Sequence, residues 1–165
     1  MPLVESISGI RGIYDNGLNE KVAARYAYSY LSFLKNKNIK NKNRKKLKII
    51  VGTDTRPSKD ILKNAVLEVL DCDVIDVGIA STPMVEFAVR HFKADGGIII
   101  TASHNEPYWN GFKFLDKGGA VLRPKDMEKV IEKYNKTKAL DDKTFYNKHL
   151  YKNNNKNELA IKKIY

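Results

Sequence analysis

Thr101, Ser103, His104 and Asn105 stand together directly after a run of isoleucines, in IIITASHNEPYWNGFKF (Ile98 to Phe114). A hydroxyl nucleophile, an imidazole and two small polar side chains at a strand end could form a group-transfer site, because a rigid scaffold aims the loop above it. The same residues also suit an ordinary turn, since Ser and Asn hydrogen-bond to nearby backbone. Two more polar clusters follow apolar runs: Thr53-Asp54-Thr55-Arg56 after LKIIVG, and Ala80-Ser81-Thr82 after DVIDVG. Asp54 with Arg56 equally fits a pair that only holds a loop.

Several chemistries are excluded by motif. There is no GxGxxG dinucleotide loop and no GxxxxGK[ST] phosphate loop. Ser103 lies between Ala102 and His104, without the glycines of a nucleophile elbow. On an extended strand Ser103 and His104 would point apart, which argues against a Ser–His pair for acyl transfer. His91, His104 and His149 have no metal-ligand spacing, and His91 reads as a helix-surface residue. The single cysteine, Cys72, sits between apolar segments and reads as a small buried side chain rather than a nucleophile.

The elements that would position these clusters follow from periodicity. Asn19 can cap a helix carrying Val22, Ala23, Tyr26, Ala27, Tyr30, Leu31 and Leu34 at three-to-four spacing. Leu47 to Gly52 reads as a buried strand. Ser58 can cap a helix with Ile61, Leu62, Ala65, Val66, Val69 and Leu70 inward. Asp73 to Gly78 is a second strand. Thr82 then caps a helix that has Pro83 at its first position and carries Val85, Phe87, Ala88 and Phe92. Gly96 to Thr101 is the third strand. Phe112 to Leu115, the Asp116 to Gly119 turn and Ala120 to Leu122 read as a hairpin with one antiparallel strand. A last helix runs from about Pro124 or Lys125 to Tyr134. The pattern predicts a three-layer α/β sandwich, a mostly parallel mixed sheet with helices on both faces and right-handed crossovers. The three polar clusters then share the rim at the carboxyl ends of the strands, where open α/β sheets bind ligands.

Residues 1–135 form the expected domain. From Asn135 the periodicity fades, residues 136–165 read as a Lys/Asn-rich connector, mobile over Asn147 to Asn157, and ELAIKKIY resembles the start of a further domain. The 165 residues suit one domain with a proper core, and 42% hydrophobic content fits a globular chain. No apolar run approaches the roughly 18 residues of a membrane span. No secretory signal is visible in MPLVESISGIRG, so the cytoplasm is the default compartment. The net charge of +11 would suit a polyanion, but much of the excess lies in the Lys-rich tail and in Lys35 to Lys48, which has no aromatic residue for stacking. That placement argues against nucleic acid as a partner.

SGIRG (Ser8 to Gly12), GTDTRPS (Gly52 to Ser58), Thr82-Pro83, and ADGGIIITASHN with NGFK (Ala94 to Lys113) occur in one order that resembles the α-D-phosphohexomutases. These are the phosphoglucomutases, phosphomannomutases and phosphoglucosamine mutases. The resemblance covers about residues 4 to 134 and implies that Ser103 carries a phosphoryl group. It would interconvert hexose 1-phosphate and hexose 6-phosphate through a bisphosphate that reorients. It further implies Arg11 and Lys113 as basic catalytic groups beside the phosphoserine, His104 as a catalytic residue that shapes the loop with Asn105, and Thr101 and Asn105 as substrate-binding residues. Arg56 falls at a substrate-binding position. A glucose 1,6-bisphosphate-type activator is implied, as is Mg2+ touched by the Ser103 phosphate.

Two departures qualify this. Glu106 stands where the family usually has Pro, with Pro at 107, and a carboxylate near a phosphoserine is unfavourable unless it points outward or meets a cation. Family members have four domains, and this chain resembles the first. No DGDxDR metal loop, GEMSG-like sugar loop or RxSGTEP-like phosphate loop is present. The Mg2+ aspartates and the choice of hexose would lie in other domains, supplied in cis or by a separate chain. Alone, the domain is expected to lack turnover and to expose an interdomain face through which it could self-associate. A non-catalytic phosphosugar- or partner-binding domain is the second reading, and a basic nucleic-acid binder the third.

Overall fold

The apolar runs form the parallel centre of one sheet in the computed structural model, which describes residues 3–6, 8–37 and 46–150, and 162–163 by their strand pairing. In chain order the elements are β1 (Val4–Ser6), β2 (Gly9–Tyr14), β3 (Gly17–Leu18), α1 (Glu20–Lys37), β4 (Lys48–Thr53), α2 (Lys59–Leu67) and β5 (Asp73–Ile79). There follow α3 (Thr82–His91), β6 (Gly96–Ile100), β7 (Trp109–Leu115), α4 (Pro124–Lys138), α5 (Asp142–His149) and β8 (Lys162–Lys163). The strand order is β1-β2-β7-β6-β4-β5-β8, with β3 beside β2. Strands β6, β4, β5 and β8 are mutually parallel, while β7 runs against both β6 and β2. The expected three-layer, mixed α/β sandwich is what forms.

Strand alternation sorts the core into two unequal layers. Ile49, Val51, Ile98, Ile100, Phe112 and Phe114 face a large core completed by α1, α2, α4 and α5. Ile50, Ile99 and Leu115 face a smaller one under α3. Fully burying an aliphatic side chain of this kind contributes about 1.5–3 kcal/mol. Cys72 lies in the large core, where burial pushes its thiol up to about 12, consistent with a packing role.

Local signals held in some places and yielded in others. Asn19 caps α1 as expected, its Oδ1 accepting the Val22 N–H at 3.0 Å. Ser58 makes no capping bond for α2; its Oγ accepts instead from the Asn110 side chain at 2.8 Å. Thr82 lies inside α3 rather than capping it, with Ser81 at the N-cap position and Pro83 in the first turn. Ile61, expected to face inward, is exposed, as is Phe87 on α3. The turn at Asp116 to Gly119 forms, the Gly119 N–H donating to Asp116 O at 2.9 Å. Its return arm makes one bridge, Leu115 with Val121, because α4 begins three residues later; the antiparallel partners of β7 are β6 and β2.

Helix α4 runs past residue 135 to Lys138, and α5 occupies residues where the periodicity had faded. Asp141 caps α5 through its Oδ1, which accepts the Thr144 N–H at 2.9 Å, and Phe145 is fully buried. Arg25, itself buried, ties α1 to this region by donating to the carbonyls of Thr137 and Leu140 and to Asp142. The Asn147 to Asn157 connector is therefore helical up to His149, and residues 151–157 lie outside the described ones.

The strands not foreseen, β1 to β3, supply the remaining edge, with GIRG of the SGIRG motif in β2. Here β2 and β7 approach closely because both carry glycines. A Cβ at Gly111 would overlap the Ile10 carbonyl, and one at Gly9 would overlap the Phe112 carbonyl. Gly9 also has φ 126°, which side-chain-bearing residues rarely adopt.

Two outcomes are expected. Gly111→Ala should destabilise the domain by about 1–3 kcal/mol, as overpacking does, and an unchanged urea midpoint would show that the seam can relax. The second concerns pH. Burial against Tyr28 and Phe145, with lesser effects of Lys148 and Arg25, holds His149 below its ordinary value of 6.5. The undocked helix thus takes the proton first, and docking of α5 should weaken as pH falls through about 6.5. Hydrogen bonds from Lys21 and Arg25 hold Asp142 below its ordinary 3.8, so its contribution is lost only as pH falls through that lowered value. NMR titration of the α5 amides should show both steps, and His149→Gln should abolish the first alone.

Candidate active site

Three strands end at one rim. Thr53 pairs with Ile79 of β5 and with Ile100 of β6. The Ala80 N–H donates to Thr53 O at 2.9 Å, and the Asp54 N–H to Ile100 O at 3.0 Å. Asp54, Ser81 and Ser103 therefore lie at the same end of the sheet, as the βαβ rhythm predicted.

The loop from Thr101 to Tyr108 joins β6 to β7. Thr101 is buried, and its Oγ1 accepts the Ser103 N–H at 2.9 Å. The Asn105 N–H donates to Ala102 O at 3.2 Å, closing a tight turn. Ser103 has φ 60°, and the left-handed region costs an L-residue about 1–2 kcal/mol. It is exposed, as is His104 beside it. Glu106 is also exposed, so the carboxylate that replaces the usual Pro is solvated.

Arg11 and Lys113 come from neighbouring strands. Arg11 pairs with Gly111, and Lys113 pairs with Ile99 of β6. Paired residues and alternate residues share a face, so both basic side chains lie on the side that α3 covers over β4 and β6. Both are half-buried. Opposite Arg11 there is only glycine, which leaves it room. The Arg11 Nη1 donates to Asn105 Oδ1 at 3.2 Å, joining β2 to the serine loop.

Arg56 is placed otherwise than a substrate-binding residue should be. It is 8% exposed, and its Nε donates to Asp54 Oδ2 at 2.9 Å. Its Nη1 donates to the carbonyls of Glu106 and Trp109, and its Nη2 to those of Ser103 and Asn105. All five guanidinium N–H groups are thus engaged by the protein. Asn110 went unremarked by sequence reasoning except as part of NGFK. It is fully buried, and besides reaching Ser58 its Oδ1 accepts the Gly111 N–H at 2.8 Å. A buried amide at a strand start has no periodic signature.

The arrangement offers an exposed hydroxyl on a fixed turn, with two cationic side chains on the adjoining sheet face. Such groups suit an anionic group carried on or delivered to that oxygen. Among the described residues no cluster of three or more His, Cys, Asp or Glu side chains could hold a metal ion. Nor is any described helix long and apolar enough to cross a membrane.

Comparison with known proteins places the chain in a family. The profile of the family "Phosphoglucomutase/phosphomannomutase, alpha/beta/alpha domain I" matches residues 5–141. The phosphoglucomutase/phosphomannomutase of Thermococcus kodakarensis is 41% identical over 127 residues, covering 75% of this chain and 26% of that protein. The phosphoglucosamine mutase of Alkaliphilus oremlandii is 38% identical over 130 residues, 76% of this chain and 27% of its own length. A structure from Thermus thermophilus, provisionally named a phosphomannomutase, superposes with a TM-score of 0.68 at 30% identity, over 79% of this chain and 29% of that one. The chain thus spans about a quarter of the length of these relatives. With the profile covering most of its residues, the chain belongs to the phosphoglucomutase/phosphomannomutase family, of which it carries the α/β/α domain I.

Proposed function

We propose that this chain is the phosphoserine-bearing part of a phosphohexomutase, with Ser103 as the phosphoryl carrier. The observation that carries this reading is the exposed, left-handed Ser103 on the carboxyl rim, beside a sheet face bearing Arg11 and Lys113. The Ser103 Oγ attacks phosphorus of a hexose bisphosphate, the bond from phosphorus to the sugar oxygen breaks, and the serine proton passes to that oxygen. The reverse step delivers the phosphoryl group to the other hydroxyl of a hexose monophosphate. Hexose 1-phosphate and hexose 6-phosphate interconvert as a result.

A phosphoserine carries about 1.5 to 2 negative charges at neutral pH, and Arg11 and Lys113 offset part of that charge. Asn105 holds Arg11, Thr101 holds the Ser103 amide, and exposed His104 is available to a bound phosphate. Mg2+ would neutralise the transferring oxygens, but among the described residues the acidic side chains do not gather into a site for it. Its remaining ligands, the sugar-selecting contacts and the distal phosphate clamp belong on this reading to polypeptide beyond the chain. A cytoplasmic location goes with the same reading.

That polypeptide also has a place to pack. Ile79, Met84 and Phe87 are each about 60% exposed and line a cleft of about 870 Å3 between the end of β5 and α3. β8 returns the chain to the β5 edge at Ile75 and Asp76, a few residues from Ile79. Continuity with that edge, and relatives of which this chain covers about a quarter, favour the downstream polypeptide as the occupant.

After incubation with glucose 1,6-bisphosphate, intact mass and peptide mapping should place one phosphate on Ser103, and Ser103→Ala should remove it. A coupled assay on glucose 1-phosphate, mannose 1-phosphate and glucosamine 1-phosphate should detect no appreciable turnover. Loss of a cationic clamp, of a kind worth about 10³ to 10⁵ in rate, together with the metal leaves little. Phosphate on another serine overturns the assignment, and full turnover overturns the incomplete-site argument. In sedimentation, the isolated chain should self-associate weakly through its apolar face, and Met84→Glu with Phe87→Glu should restore the monomer. A wild-type chain that stays monomeric at every concentration would count against that face.

A further inference from the structure

We propose that Arg56 is the positioning residue of the serine loop: its buried guanidinium sets the backbone of Ser103 and so the direction of the phosphoryl-carrying oxygen. The consequence for transfer rests on the proposed function; the loop geometry does not. Four loop carbonyls, from Ser103, Asn105, Glu106 and Trp109, converge on one guanidinium. Carbonyl oxygens gathered this closely repel one another unless a donor lies between them. Five N–H groups in a rigid plane supply this; the three donors of a lysine ammonium on a flexible stem cannot.

The anchor is itself fixed. Asp54 accepts from the Arg56 Nε at 2.9 Å and from its backbone N–H at 3.1 Å, and the Asp54 N–H is bonded to Ile100, the last residue of β6. Ser103 is therefore tethered on both sides. Its N–H is bonded to Thr101 and its C=O to Arg56, at 2.9 Å each. Those two bonds bracket the residue that adopts φ 60° and oppose its relaxation to an ordinary backbone conformation. With every donor engaged, Arg56 has none left for a substrate phosphate, so its effect must pass through the loop.

The test is Arg56→Lys in the full 165-residue chain, which keeps the charge and loses the planar fork. Three quantities are read: the 13C chemical shifts of Ser103, hydrogen exchange of the amides of residues 103–106, and the rate of Ser103 phosphorylation by glucose 1,6-bisphosphate. We expect the Ser103 shifts to move away from left-handed values and the loop amides to exchange at least tenfold faster, with β4 and β6 protection unchanged. Phosphorylation should slow about 100-fold, the scale of a small misplacement of a reacting group. Arg56→Gly should regain part of the rate and the loop protection when guanidinium ion is added, which a general packing defect would not. Unchanged shifts and loop exchange in Arg56→Lys overturn the proposal, as does a loosened loop with an undiminished rate. If the wild-type chain takes no phosphate on Ser103, the proposed function fails while the shifts and exchange still decide the role of Arg56. Should Arg56→Lys not fold, Asp54→Asn, which weakens the hold on Nε alone, is read in the same way.

Discussion

The close approach of β2 to β7 is the constraint on which the site depends. Their backbones meet where Gly9 and Gly111 lack side chains, and any Cβ there would overlap a carbonyl of the facing strand. This contact brings Arg11, from the first dozen residues, next to Lys113 and the serine loop a hundred residues later. Without it β2 has no place in the sheet, and the loop loses its bond to Arg11. Across the loop, Arg56 holds the backbone from the β4 side. The serine turn is thus suspended between a seam made possible by missing side chains and a cation with every donor in use.

Uneven covering of the sheet follows from the same need. Among the described residues four helices bury one face, whereas α3 alone covers part of the other, over β4 and β6. Arg11 and Lys113 lie on this thinner side. A second helix there would desolvate two cationic side chains, which is costly without paired partners. Among the described residues no second helix lies there, and Arg11 and Lys113 stay half-buried. The larger core takes one face and the polar site shares the other with the smaller core, with Phe112 and Phe114 pointing into one and Lys113 toward the other along a single strand.

Much of this was legible in the residues, and the exceptions have physical causes. Runs such as LKIIVG and GGIIIT give strands directly, because burial on both faces demands continuous apolar sequence. The first strands were not legible, since β2 is a short glycine-containing strand whose pairing partner is remote in sequence. Short α5 lacked enough turns to show a period, although Asp141 and Thr144 carried its capping signal. Ser58 and Thr82 are good caps by type, yet tertiary contact took Ser58 for Asn110 and the first turn of α3 absorbed Thr82. For the site, Ser103, Arg11 and Asn105 were recognisable as residue types in motifs. The role of Arg56 was not, because a charge near a loop looks the same whether its donors face a ligand or the backbone. Only the count of acceptors around it distinguishes the two.

A serine held this firmly has a consequence for any reaction that uses it twice. On the proposed reading, Ser103 must give up its phosphoryl group to one end of a sugar and recover one from the other. A flexible loop could follow the substrate, but flexibility would forfeit the positioning on which phosphoryl transfer relies. Here Thr101 and Arg56 bracket Ser103, and Arg11 and Asn105 brace the turn. The motion between the two transfers then falls to the bisphosphate and to whatever polypeptide grips its far end. A domain that fixes the carrier and leaves the grip elsewhere separates two requirements that conflict within one rigid body. That separation gives a physical reason why relatives of this chain are so much longer than the part that holds the serine.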